Sequence, residues 1–145
     1  MDVCGTYPDR IAAGMALCGG CSLKDVSGLG KLPFWIIHGT ADRAVPVKQS
    51  KVVVDKLKRD GNDTRLIYDW WQGANHGMPA RVFYMKKTYQ WLFSHTLNDS
   101  DRPVNRDIDI SMGDVRNAYD GVNRNAPKPE LIDGPSVIKN EGNEY

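Results

Sequence analysis

Residues 33–38, Pro-Phe-Trp-Ile-Ile-His, constrain the fold of this chain more than any other segment. Aromatic and β-branched side chains dominate the run, which makes it the clearest strand in the sequence. A sheet of parallel strands in an α/β protein is normally covered on both faces. Two more runs have strand character: residues 12–18, an apolar run ending at Gly19-Gly20 that fits a fully buried strand, and residues 64–70, Thr-Arg-Leu-Ile-Tyr-Asp-Trp. Between the second and third strands, Pro46 suits the first turn of a helix reaching about Arg59. That helix is expected to bury Val52, Val53 and Leu57, with Gly61 just past its end as a cap. From Pro79 a second amphipathic pattern begins, with Val82, Met85, Tyr89, Leu92 and Phe93 on one face and Arg81, Lys86, Lys87 and Gln90 on the other.

Strand–helix–strand–helix order predicts parallel pairing through right-handed crossovers. Residues 1–6 read as the end of an earlier helix closed by Tyr7-Pro8-Asp9, and residues 22–32 as a glycine-rich loop or short helix. About three parallel strands with flanking helices are few for a sheet buried on both faces. The expected fold class is therefore α/β, as part of a larger domain, with the strand at 12–18 on an open edge.

Charge divides the chain into two regions. Residues 1–97 carry 13 Lys/Arg against 8 Asp, whereas residues 98–145 carry 6 Lys/Arg against 10 Asp/Glu. The second region is rich in Asn, Asp, Gly and Pro and lacks Phe and Trp. The expectation is a folded portion over 1–97 and a polar linker or partly ordered tail over 98–145. No basic stripe with interleaved aromatics suggests nucleic acid as a partner. No apolar run approaches the roughly 20 residues of a membrane-spanning helix.

The chemistry lies at the ends of two strands. Asp42 stands four residues beyond the run ending at His38, and His76 lies in the loop after the run ending near Trp70. In open α/β sheets, functional groups gather outside the carboxyl ends of the strands. A carboxylate there can accept from one imidazole nitrogen and leave the other free to take a proton from a hydroxyl. Gly73, Ala74 and Gly77 are small enough for the tight turns that aim such a ring.

Residues 7–93 resemble the last part of the α/β-hydrolase superfamily, in particular the esterase, phospholipase/carboxylesterase and dienelactone-hydrolase-like members, and more distantly the prolyl-oligopeptidase group. Tyr7 to Gly14 resembles the helix end and strand that follow the nucleophile elbow. The run from Pro33 to Pro46 resembles the family's strand, its H-G-x-x-D-x-x-V-P signature and its helix start, and Gly73 to Gly77 resembles the histidine loop. The resemblance implies that Asp42 is the acid and His76 the base of a Ser-His-Asp triad acting on a small-molecule ester, and less readily on a peptide. No cofactor or metal is implied. The family's nucleophile sits in G-x-S-x-G, which this chain lacks, so the resemblance places the serine, the oxyanion hole and the first half of the fold upstream of Met1. Two other readings stand beside it: a catalytically silent half-domain that requires a partner fragment, and an α/β binding module.

Several features invite other readings. Cys18-Gly19-Gly20-Cys21 has redox or half-zinc spacing, but no second ligand pair accompanies it, and small buried residues at a strand end are expected. Ser111-Met112-Gly113 has the look of a nucleophile turn but lacks the preceding glycine and follows the histidine in chain order. His38 is expected to be a structural hydrogen-bonder near the site, and His95 a helix-end residue. Trp70 and Trp71 flank the histidine loop as candidate walls of a substrate pocket, with core packing the equal alternative for one of them.

Overall fold

The computed structural model describes residues 1–120, with side chains to residue 118. The last 25 residues of the expected tail lie outside them. Helix α1 (Asp2–Thr6) leads through a 3-10 turn at Pro8–Arg10 into strand β1 (Gly14–Leu17). A 3-10 turn at Ser27–Lys31 precedes β2 (Phe34–Gly39), which is followed by α2 (Lys48–Arg59) and β3 (Leu66–Trp71). A 3-10 segment at Pro79–Tyr84, α3 (Lys86–Phe93) and α4 (Met112–Asp120) complete the described chain. The sheet has the order β1-β2-β3, all parallel, with Gly14 opposite Phe34 and Phe34 opposite Leu66.

Every residue of β2 is buried, as its two-sided apolar pattern requires. Phe34 and Ile36 face α2 and join Val53, Val54, Leu57 and Leu66 in one cluster. Trp35 and Ile37 face the other way, into a second cluster with Val82, Met85, Trp91 and Val115. β1 has β2 as its one sheet neighbour among the described residues.

Two helical patterns differ from expectation. In α2 the buried positions are Ser50, Val53, Val54 and Leu57, while Val52 is 54% exposed. The apolar stripe is thus rotated by one or two residues, because a buried serine takes a place on the inner face. Gly61 does cap the end, at φ +69 with its N–H donated to the Lys58 carbonyl.

The second helix is broken. Met85 is extended (φ −111, ψ 127) between a 3-10 segment and α3. The buried residues are Pro79, Val82, Met85, Thr88 and Trp91, a spacing of three that a 3.6-residue helix cannot keep over four turns. The Thr88 hydroxyl donates to the Val82 carbonyl at 2.6 Å across the break. Tyr89 and Phe93, expected inward, are exposed, Phe93 by 82%.

Residues 98–120 are more ordered than their composition suggests. The few apolar side chains available are concentrated on one patch: Val104, Ile108, Ile110 and Ala118 pack beside fully buried Val115 against the Trp35 face of the sheet. Backbone carbonyls supply the rest. Trp91 Nε1 donates to Asn105 O at 2.7 Å, and Arg65 donates to Asp101 O at 2.7 Å. Arg106 reaches Thr64 O at 2.8 Å, and Arg102 donates to the carbonyls of Pro8, Ile11 and Ala12. His95 has a role beyond the helix end: Nδ1 donates to Trp91 O at 2.8 Å and Nε2 accepts the Asn105 N–H at 3.0 Å, tying α3 to this strap.

Candidate active site

The loops after β2 and β3 interlock at Gly39. Ala41 N–H donates to Ala74 O, Thr40 N–H to Trp71 O, and Gly73 N–H to the Thr40 hydroxyl at 2.8 Å. A Cβ on Gly39 would overlap the Ala74 carbonyl and lie 2.9 Å from the Asn75 oxygen, so only glycine allows the two loops to touch here. Gly73 has φ +72 in the turn closed by Ala74 N–H to Trp71 O. A Cβ on Gly77, in contrast, would meet nothing beyond its chain neighbours nearer than Asn75 Oδ1 at 3.8 Å. Asn75 Oδ1 accepts the N–H groups of Gly77 and Met78 and so opens the next 3-10 segment.

This interlock brings Asp42 and His76 together across 34 residues: His76 Nδ1 lies 2.8 Å from Asp42 Oδ2. The other carboxylate oxygen, Oδ1, accepts Ala44 N–H and Val45 N–H, each at 2.9 Å. Burial alone would push this carboxyl up. The N–H of Val45, the His76 ring, the Cys18 thiol and the N–H of Ala44 outweigh it and hold the group well below the usual carboxylate range. Asp42 is buried, whereas the His76 side chain is 51% exposed. It borders an open cleft of about 670 Å³ lined by Ala41, Arg43, Ala44, Asn75, His76 and Gly77. An inward carboxylate holding one nitrogen of an outward imidazole is the arrangement a general base requires.

A second layer lies behind Asp42, and only part of it is readable from sequence. His38 is fully buried, with Nδ1 2.7 Å from Ser50 Oγ, Nε2 2.9 Å from Val45 O, and Nε2 3.3 Å from Asp42 Oδ2. Ser50, which carries no motif, was missed; a polar residue on the inward face of α2 is its one signal. Cys18 sits at the end of β1 with φ +48, its N–H donated to Ile37 O. Burial pushes its thiol up to about 11, with Asp42 acting in the same direction, so it stays a neutral donor to that carboxylate. Cys18, His38 and Asp42 offer ligand atoms within 4.8 Å of one another. Each is already engaged in this hydrogen-bonded network. Cys18 and Cys21 are both free thiols.

The other candidates fall away from the cleft. Ser111 Oγ accepts the N–H of Asp114 at 3.1 Å, while the Asp114 carboxylate accepts the Ser111 N–H at 2.9 Å. That is a reciprocal cap on α4. Trp70 packs on the α2 side of the sheet and Trp71 on the strap side, and neither lines the cleft.

The sequence profile of the prolyl oligopeptidase family matches residues 23–99, which spans the signature, both loops and α3. The chain belongs to the prolyl oligopeptidase family. Among solved structures, a thermostable esterase is similar at 26% identity and a TM-score of 0.56, over 64% of this chain. The likeness covers 26% of that esterase, so the chain spans about a quarter of its length. No curated protein matches the chain. Family and neighbour agree with the α/β-hydrolase resemblance and with three parallel strands as the later part of such a fold. No helix among the described residues is long and apolar enough to cross a membrane.

Proposed function

We propose that this chain supplies the acid and base of a serine hydrolase acting on esters, with Asp42 as acid, His76 as base, and the nucleophile in a segment preceding Met1. The observation that carries this reading is the 2.8 Å contact between His76 Nδ1 and a buried, multiply hydrogen-bonded Asp42, with the rest of the ring facing the cleft. Asp42 orients the imidazole and steadies its cationic form. Nε2 then takes the proton of a serine hydroxyl as it attacks the ester carbonyl, and returns it to the leaving alcohol. The α/β-hydrolase relationship and the esterase neighbour support ester chemistry. The family is named for oligopeptide hydrolysis, and peptide substrates are the second reading on that ground.

The test is kinetic, on the longer protein read upstream from Met1. His76→Ala should lower kcat for a short-chain p-nitrophenyl ester by about 10⁴–10⁶-fold, and Asp42→Asn by about 10⁴-fold. Activity retained in either variant, or an upstream sequence without G-x-S-x-G, overturns the proposal. The 145-residue chain alone should show no hydrolysis above its His76→Ala control.

A further inference from the structure

We infer that Arg43 is a specificity-determining residue of the cleft and selects esters that carry a carboxylate near the scissile bond. The ester rests on the functional reading above, whereas the carboxylate site depends on charge and geometry alone.

The turn after β2 separates Arg43 from its neighbour. Asp42 is buried, and its Oδ1 accepts the N–H groups of Ala44 and Val45 at 2.9 Å each, so the backbone closes around the carboxylate. Arg43 stands inside this closed turn, exposed, and lines the same open cleft as His76. The turn fixes the point from which its long side chain departs.

This cation has no anion of its own. Among the described residues no hydrogen bond or ion pair holds the Arg43 side chain, whereas Arg59 is paired with Asp60 and Lys87 with Asp109 and Asp114. The adjacent carboxylate is already used: Oδ1 by backbone N–H groups and Oδ2 by His76 Nδ1. Ala41, Ala44, Asn75, His76 and Gly77 complete the lining and bring no carboxylate to it. Asn75 Oδ1 accepts the N–H groups of Gly77 and Met78, so this acceptor too is occupied. The cleft therefore offers a substrate one permanent positive charge beside the base and no lining carboxylate to balance it.

A guanidinium stays protonated at every working pH, and its planar fork matches a carboxylate with two parallel hydrogen bonds. The same charge repels an ammonium group and gives a neutral ester no comparable gain. Half-esters of dicarboxylic acids and acyl esters of hydroxy acids both place a carboxylate a few bonds from the ester, on the acyl and the alcohol side respectively.

Two measurements test this. In the 145-residue chain, ¹⁵N–¹H spectra are titrated with hexanoate and with hexanamide, its uncharged counterpart. Hexanoate should shift the amide signals of Arg43, Ala44 and His76 more strongly. Arg43→Gln should reduce its effect to that of hexanamide, and Arg43→Lys, which keeps the charge, should restore most of it. Equal shifts by the two compounds, or hexanoate shifts that survive in Arg43→Gln, overturn the inference whether or not the protein is a hydrolase. In the longer protein, kcat/KM for monomethyl adipate is divided by that for methyl hexanoate, and kcat/KM for 6-acetoxyhexanoate by that for hexyl acetate. Arg43→Gln should lower at least one ratio by about fivefold to tenfold, the scale of one partly exposed charge-assisted hydrogen bond, and the pair affected tells which side carries the charge. Salt should lower the same ratio in the wild type. Both ratios unchanged in Arg43→Gln overturn the inference even where His76→Ala abolishes hydrolysis. If no ester is cleaved while hexanoate still binds in an Arg43-dependent way, the hydrolase reading fails and the carboxylate site stands.

Discussion

Gly39 is the residue on which the site depends sterically. Any side chain there strikes the carbonyls of Ala74 and Asn75, the two residues before His76. Gly39→Ala should destabilise the chain by roughly 2–3 kcal/mol, within the usual range for a buried clash, and separate Asp42 from His76. Gly77→Ala, with open space around it, should stay within about 0.5 kcal/mol. Urea unfolding of both variants checks the contrast, and equal effects would refute it. The spacing of Asp42 and His76 was legible in sequence because motif residues stand at fixed distances from strand ends. The roles of Gly39 and Ser50 were not, since each depends on a contact between segments far apart in sequence.

Asp42 also makes a pH prediction. Its folded value is depressed, so the stability it contributes is complete above the unfolded value of about 3.9 and is lost as pH falls through the folded value. The difference in unfolding free energy between wild type and Asp42→Asn should therefore be constant near neutrality and shrink as pH drops below about 4. A gap that widens in acid would contradict the assignment of the network to the charged carboxylate.

At the scale of elements, β2 was readable because aromatic and β-branched residues dominate its run, whereas full burial, expected of the run at 12–18, belongs to β2, and β1 alternates buried and half-buried residues. The helix after Pro79 was not read correctly, since buried residues at every third position disguise a break at Met85 as continuous amphipathic periodicity. The strap over residues 98–118 was underestimated for a related reason. Composition averages over the segment, whereas packing requires only that its few apolar residues meet the same patch. Val115, fully buried against the face that carries Trp35, should cost about 2 kcal/mol when replaced by Ala. Truncation after residue 97 removes Val115, Ile108 and the Arg102 clasp on Pro8, Ile11 and Ala12 together. It should lower the melting temperature by many degrees, and an unchanged thermal transition would show that the strap is passive.

At the scale of the whole molecule, three parallel strands carry the loops that bear Asp42 and His76, and β1 presents its second edge without a sheet partner among the described residues. An edge of this kind is a template for another strand. The esterase that resembles this chain is matched over about a quarter of its length, and the proposal places the nucleophile in a part that joins at or before α1. The most direct measurement is covalent labelling with a fluorophosphonate, which modifies a serine only where a base and an oxyanion hole activate it, followed by peptide mass spectrometry. In the longer protein the label should fall on one serine N-terminal to Met1, vanish in His76→Ala, and be absent from every peptide of residues 1–145. A stoichiometric label on Ser111, or labelling that persists without His76, would contradict the account.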